Sequence, residues 1–253
     1  MKTVKVHSEQ RGDVINYLVC NNVQSLLWIA NLGAIEMHSW FSRIKDFEHC
    51  NTSELLYEEK CGLNFPDFIV FDLDPYIYSG KEKKGQEPEY NSSGFRATVE
   101  LALDLYDFLR ELKISSYIKT SGKSGLHIYV PIINNYPYEQ TRNFSEIIAK
   151  IMISKYPKKV TTEWNTSKRK GKVFFDYNQN SRGKTLASVY SLRPTTPATV
   201  SMPIDWKKLD SILPTEFTIL SVPQLIRKNI DIWAGVLTEK QNISKIISKV
   251  QEI

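Results

Sequence analysis

Phe68-Ile-Val-Phe-Asp72-Leu-Asp74-Pro75 is the stretch on which the reading of the fold turns. Four apolar residues run into two aspartates one residue apart, and a proline closes the run. Alternate residues of a strand share a face, so Asp72 and Asp74 are expected to project together from the end of a buried strand. Two carboxylates held that close repel unless something neutralises them, and a divalent cation is the usual answer. The stretch is a candidate metal site. Its plain alternative is two solvated carboxylates at a strand end, because Asp-x-Asp recurs in unrelated enzyme classes.

Working outward, the spacing predicts helices over about 94–113 and 138–155. The first has Val99, Leu101, Ala102, Leu105, Phe108 and Leu109 as its buried stripe. Strands are expected at 116–119, 126–131, 172–177 and 187–192, and the Pro-rich 193–197 leads to a helical tail. Towards the N-terminus, strands at 3–7 and 14–19 flank the polar tip 8–13, whose Arg11-Gly-Asp13 supplies turn chemistry for a hairpin. Asn22 caps a short helix with Leu26, Leu27, Ile29 and Ala30 inward, and Gly33 ends it. Ala34–His38 alternates like a strand, with Glu36 and His38 on one face. Residues 42–64 read as irregular and 79–89 as a solvated loop. There is no repeat and no linker long enough to divide the chain, so residues 1–253 are expected to form one α+β domain, with helices on one side of a mostly antiparallel sheet.

Asp176 is the third acidic candidate. It ends Lys172-Val-Phe-Phe-Asp176 much as Asp72 ends its own run. If the two strands are neighbours, three carboxylates converge, as two cations roughly 3.5–4 Å apart require in phosphoryl-transfer sites. Ser121-Gly-Lys-Ser-Gly-Leu-His127 lacks Walker A spacing and leads into a strand, yet two glycines let backbone N–H groups turn inward. Ser121 and Lys123 add donors for phosphate oxygens, and His127 shares a strand face with Tyr129. Lys184 and Arg193 flank the strand after Asp176, and Arg193 beside its proline could grip phosphate with two nitrogens. The basic run Lys168-Arg169-Lys170-Gly-Lys172 is either a charged turn or a nucleic-acid backbone contact.

Composition bounds the rest. With 42% apolar and 24% charged residues the chain is of ordinary globular type and can bury a sizeable core. No apolar run approaches the length of a membrane span, and the N-terminus lacks a signal-peptide core. Cys20, Cys50 and Cys61 are odd in number with no Cys-x-x-Cys spacing, which argues against a disulfide framework or a zinc site and fits a reducing cytosol. A net charge of +5 is compatible with a polyanionic partner without demonstrating one.

Together these residues resemble the polymerase domain of the bacterial and archaeal DNA ligase D family, a branch of the archaeo-eukaryotic primase superfamily. The resemblance is carried by Leu26–Trp40, Phe71-Asp-Leu-Asp-Pro75, Lys119-Thr-Ser-Gly-Lys-Ser-Gly-Leu-His127, Phe175-Asp-Tyr-Asn-Gln-Asn180 with Arg182-Gly-Lys184, and Tyr190-Ser-Leu-Arg193. These stand in the family's order over roughly residues 3–210. The resemblance implies a primase-polymerase palm with an RRM-like core. It also implies that Asp72, Asp74 and Asp176 hold two divalent ions, Mn2+ or Mg2+, with manganese favoured. His38, Ser121, Lys123, His127, Lys184 and Arg193 would be nucleotide-binding. Arg169, with Lys170, would lie near the DNA terminus, and Arg11 sits on the hairpin tip that resembles a loop used to bring DNA ends together.

By the same resemblance the substrates are gapped or broken DNA and nucleoside triphosphates, ribonucleotides preferred. Expected partners are an ATP-dependent DNA ligase and a Ku-type end-binding protein in the cytoplasm, nucleoid-associated, with no membrane. Two departures stand out. Many members carry lysine directly before the glycine of Gly-Leu-His, where this chain has Ser124. Members usually have several dozen residues ahead of the hairpin, bearing lysines for a downstream 5′-phosphate, so a complete nucleotide site and an incomplete DNA-end pocket are expected. Two rivals remain at this point: a haloacid-dehalogenase-type phosphatase, disfavoured by Pro75-Tyr76 after the second aspartate, and a non-catalytic DNA-bridging module.

Overall fold

The computed structural model describes residues 2–7, 13–44, 62–76, 90–228 and 231–251. The hairpin tip with Arg11, the 79–89 loop and most of the irregular 42–64 stretch lie outside these residues. Among the described residues ten strands occur in chain order: β1 (Thr3–His7), β2 (Val14–Leu18), β3 (His38–Ser39), β4 (Phe68–Tyr76), β5 (Tyr117–Thr120), β6 (Leu126–Pro131), β7 (Val160–Thr161), β8 (Lys172–Asp176), β9 (Leu186–Ala187) and β10 (Pro203–Ile204). The helices are α1 (Val23–Asn31), α2 (Ser92–Glu111), α3 (Tyr138–Lys155), α4 (Val222–Lys228) and α5 (Ser244–Gln251).

A six-stranded sheet in the order β10-β5-β6-β4-β8-β7 carries the molecule. Every pairing in it is antiparallel except β7 with β8. The aspartate strand β4 lies near its centre. Ile69, Phe71, Leu73, Leu126, Ile128, Val130 and Phe175 form one buried face, packed against Leu101, Ala102 and Leu105 of α2 and Phe144, Ile148 and Met152 of α3. Each such side chain contributes about 1.5–3 kcal/mol by leaving water, so this layer fixes which face of β4 turns away from the helices. The opposite face carries Asp72, Val70, His127 and Tyr129.

Local chemistry sets the element ends. Asn91 accepts a hydrogen bond from Gly94 N at 2.8 Å and caps α2. Asn22 does the same for α1 through Ser25 N at 2.8 Å. β8 pairs with β4 only from Asp72 to Tyr76. Beyond it the amide of Asn180 replaces the missing strand, accepting from Val70 N at 2.8 Å and donating to Val70 O at 2.7 Å. A buried carbonyl and N–H are thereby satisfied where the ladder ends.

Three expectations need correction. The apolar residues of α1 do not form an inner face: Leu26 and Leu27 are 43% and 63% exposed, Ala30 is exposed, and Ser25 is the helix's buried residue. Periodicity identifies the face a helix could bury, and says nothing of whether a neighbour covers it. The strand expected over 34–38 is only His38–Ser39, because its partner β9 is two residues long and Met37 N is taken by Ser191 Oγ at 2.8 Å. The strand expected over 187–192 stops at Ala187; Tyr190 has φ of 63°, a left-handed conformation no strand residue adopts. The short edge strands β7 and β10 had no readable signal.

Candidate active site

Register brings the candidate residues into one row. Lys119 lies opposite His127, His127 opposite Asp72, and Asp72 opposite Asp176, across four adjacent strands. Directly opposed residues of an antiparallel pair share a face, so this row crosses the face turned away from α2 and α3. Asp74 lies two residues along β4, on the same face and exposed. Asp72 and Asp176 are buried, at 4% and 8% exposure.

The electrostatics of the row are those of an unneutralised acidic centre. Burial, followed by the charges of Asp74 and Asp176, pushes the Asp72 carboxyl well above its usual range, against the opposing pull of Lys119 and Gln179. Burial also raises Asp176, against the Asn178 N–H at 3.0 Å and the nearby charges of Lys184 and Arg169. Asp72 Oδ1 is buried and accepts no hydrogen bond. His127 Nε2 stands 3.3 Å from it, out of line for one.

Among the described residues no group of three or more His, Cys, Asp or Glu side chains is gathered tightly enough to hold a metal ion as it stands. The chemistry of the row nonetheless fits a hard divalent cation. Its donors are carboxylate oxygens, one of them buried without a partner, and a positive ion is what would bring the raised carboxyl pKa values down.

The 121–125 loop is built differently from the sequence expectation. Lys123 N and Gly125 N turn inward, but onto the loop's own Ser121 Oγ, at 3.1 and 3.0 Å, and not onto a phosphate as the sequence suggests. Ser121 thus closes the loop with its lone pairs and retains its own O–H as a donor. Gly122, with φ of 78°, approaches Arg193 and the Val200–Ser201 backbone so closely that a Cβ there would meet Arg193 Cγ at 2.5 Å. Gly125 packs against the acidic strand: a Cβ would fall 2.4 Å from Asp74 Oδ1 and 2.6 Å from Leu73 O.

Arg193 is 11% exposed and engaged on two sides. Its Nη1 donates to Ser121 O at 2.9 Å, and its Nε lies 2.8 Å from Glu36 Oε1. The two-nitrogen phosphate grip suggested by its sequence context is therefore not the arrangement found. Arg193 ties the 121–125 loop to the 36–39 segment. Glu36 also meets His38 Nε2 at 3.2 Å. Burial raises the Glu36 carboxyl, but the His38 hydrogen bond and the charges of Arg193 and Lys123 together bring it below its usual value. His38, on β3 opposite Ala187, thereby joins the basic side of the row together with the half-buried Lys123.

On the other flank, the Arg169 guanidinium lies 3.5 Å from the Phe174 ring centroid and donates to Trp164 O at 2.8 Å. Phe174 is the register partner of Asp74, so Arg169 sits at the acidic end of the row. Lys170 is exposed beside it, and Lys184 is half-buried. Arg11 lies outside the described residues. An apolar groove of about 930 Å³, lined by Met202, Ile204, Phe217 and Leu225 among others, includes none of the row residues.

Sequence reasoning missed Lys119 as a member of the site. It is fully buried, with Nζ 2.8 Å from His127 Nδ1 and in contact with Ser201 Oγ. The signal was available: Lys119 and His127 alternate with apolar residues on adjoining strands, which places both on the Asp72 face. Gln179 and Asn180 were quoted only as part of a motif. Their partners on β4, the Asp72 side chain and the Val70 backbone, are more than 100 residues away in sequence.

The LigD primase-polymerase domain model matches residues 1–233. The bifunctional non-homologous end joining protein LigD of Bacillus subtilis is 32% identical over 84% of this chain and 30% of its own length. The multifunctional LigD of Pseudomonas aeruginosa is 26% identical over 90% of this chain and 24% of its own length. The chain thus spans about a third or less of these relatives. In structure it is similar to the polymerase domain of Mycobacterium tuberculosis ligase D in complex with DNA, with a TM-score of 0.74 and 25% identity, covering 95% of this chain and 75% of that one. An acidic row on the open face of an antiparallel sheet, a family model spanning nearly the whole chain and a shared fold lead to one assignment: the chain belongs to the LigD primase-polymerase domain family.

Proposed function

We propose that this chain is one catalytic domain that adds nucleotides to DNA 3′ ends under template direction, filling gaps during end joining, with ribonucleoside triphosphates preferred. The observation that carries the reading is the in-register pairing of Asp72 with Asp176, with Asp74 on the same face and a buried Asp72 oxygen lacking a partner. Asp72, Asp74 and Asp176 would hold two divalent ions, manganese in preference to magnesium. When bound, those ions would activate the primer 3′-hydroxyl and neutralise charge on the triphosphate.

The chain's own residues do the rest. His38, Lys123 and His127 present positive charge or N–H donors to the triphosphate from the basic side of the row, Lys184 does so from the Asp176 flank, and the Ser121 O–H adds another donor. Arg193 holds the Ser121 loop and Glu36 in place while contributing its charge. Arg169 and Lys170 would face DNA phosphates, and by the family resemblance Arg11 would bind DNA as well. A DNA ligase and a Ku-type end-binding protein are the partners this role requires, in the cytoplasm at the nucleoid.

The test is primer extension on a gapped duplex with manganese, comparing UTP with dTTP opposite template adenine. Extension by the wild type, faster with UTP, is expected. Triphosphate binding without extension under any metal would replace the polymerase reading with a DNA-bridging module, and trapping of a phospho-aspartate would replace it with a phosphatase.

Gly125→Ala gives a sharper check on the geometry. The added methyl must displace either Asp74 or the Leu73 carbonyl. Because displacing a reacting group by about 1 Å costs about 100-fold in rate, extension should fall by about that factor with little loss of fold. Activity within about threefold of wild type would mean that the position of Asp74 does not matter to the reaction.

A further inference from the structure

We propose that Lys119 is a positioning residue for His127: it holds the imidazole as the Nε2–H tautomer, so that the ring presents a hydrogen-bond donor to an anionic oxygen of the bound nucleotide. The nucleotide part rests on the reading above. The tautomer part stands on the geometry alone.

Lys119 is fully buried, and its Nζ makes two contacts, to His127 Nδ1 at 2.8 Å and to Ser201 Oγ. Ser201 Oγ uses its single hydrogen on Thr120 O at 2.8 Å, so it must accept from Nζ. Another N–H of the amine is then left for Nδ1. An ammonium has no lone pair, so Nδ1 can only accept, and the proton of a neutral imidazole is left on Nε2. A neutral amine, the form burial favours, also has two hydrogens for these two acceptors, although its lone pair allows the reverse bond from Nδ1–H; the Asp72 oxygen decides between the two. The Asp72 carboxylate oxygen 3.3 Å from Nε2 favours the same tautomer, since two facing lone pairs would repel. Nε2–H is not aligned on Asp72 Oδ1, which accepts no hydrogen bond, so it is free to be donated to a ligand at the row.

The register accounts for the need. His127 is flanked on β5 by Lys119 and on β4 by Asp72. Without a donor at Nδ1 the ring could take its other tautomer or turn, and Nε2 would then face the nucleotide with a lone pair. The relation is that of an outer-shell residue whose loss typically costs about 10- to 100-fold in affinity or activity.

The experiment compares wild type with Lys119→Met and Lys119→Gln. The imidazole of His127, one of four histidines in the chain, is read by long-range proton–nitrogen NMR and assigned with His127→Gln. Wild type should show Nδ1 unprotonated and Nε2 protonated. Lys119→Met should lose that single pattern and lose about 10-fold in kcat/KM for the nucleotide. The loss should fall mainly on KM, because the donated bond is made to the triphosphate as soon as it binds. Lys119→Gln, whose amide N–H can reach Nδ1 without a charge, should restore the tautomer and most of the affinity.

If the Nε2–H tautomer survives in Lys119→Met, the proposal is overturned. So is it if Lys119→Gln restores the tautomer but leaves KM as poor as in Lys119→Met. Should Lys119→Met fail to fold, Lys119→Gln alone decides the tautomer. Should wild type neither bind nor use a triphosphate, the functional reading fails and the NMR result still tests the positioning of His127.

Discussion

Asp72→Asn and Asp176→Asn should each lower nucleotide addition by about 1,000-fold or more, an effect of about 4 kcal/mol on the barrier, while leaving the metal-free protein more stable than wild type. The two effects have one origin. Burial and the neighbouring Asp74 and Asp176 charges raise the Asp72 carboxyl above its usual value. Between the unfolded value near 3.8 and the raised folded value, the native state holds more protons than the unfolded one. Stability therefore falls as pH rises through that window, and the full cost persists above it. Asparagine keeps the shape and removes the charge, so that cost disappears at neutral pH. A gain of about 1–2 kcal/mol, or about 2–8 °C in Tm for a chain of this size, is expected. Manganese should raise the Tm of wild type and should do so far less for Asp72→Asn, because the ion stabilises only the state that binds it. Primer extension with thermal unfolding, each with and without manganese, checks both halves. A variant that is inactive but also less stable would mean that the carboxylates serve the fold and do not form a repelling centre awaiting a cation.

Much of this centre was legible in the sequence because it obeys strand periodicity. Phe68–Pro75 and Lys172–Asp176 each run apolar into an aspartate, and alternation alone put Asp72 and Asp74 on one face and His127 and Tyr129 on one face. What alternation could not supply was register. That Asp176 stands opposite Asp72, with neither offset along the ladder, depends on the long-range pairing of β4 with β8. That pairing is in turn steadied by Asn180, whose amide takes over where β8 ends.

The less legible residues are those whose role depends on a partner remote in sequence. Ser121 looks like a phosphate donor when read beside two glycines; in the fold its oxygen lone pairs gather the loop's own N–H groups. Arg193 looks like a phosphate clamp when read beside a proline, and is found between Ser121 O and Glu36. In both cases the local signal could not show the intramolecular partner that the fold supplies. α1 shows the converse failure. Its apolar pattern is genuine, yet Leu26, Leu27 and Trp28 are exposed.

Asp67→Ala should destabilise the fold by about 3 kcal/mol, the low end of what breaking a buried ion pair costs, because one of its partners, Arg43, is half exposed. Asp67 is 1% exposed and sits one residue before β4. It accepts from Arg43 Nε at 2.8 Å, from Asn134 Nδ2 at 2.8 Å and from Lys240. Burial alone would raise its carboxyl; the hydrogen bonds from Arg43, Lys240 and Asn134 outweigh this and hold it below the usual range. The stabilisation is present above the unfolded value near 3.8 and is lost as pH falls through the lower folded value, so Asp67→Ala should lack one component of acid unfolding.

The consequence reaches the C-terminal segment. Lys240 lies beyond the residues matched by the family model, yet Gln241 bonds Ser115 through both atoms of its amide, at 2.7 and 2.8 Å, and Ile133 N donates to Gln241 O at 3.1 Å. Removing the Asp67 carboxylate leaves Lys240, 16% exposed, without its counter-charge at the head of this segment. Urea unfolding should therefore show the lowered stability, and hydrogen exchange should show earlier opening at Gln241 and Ile243 than in the α2–α3 core. A loss under about 0.5 kcal/mol, or uniform loss of protection with no preference for residues 239–243, would mean that this segment is held by Gln241 and by the Tyr136 hydroxyl, which accepts from Ile243 N at 2.9 Å, and that the buried carboxylate is not its anchor.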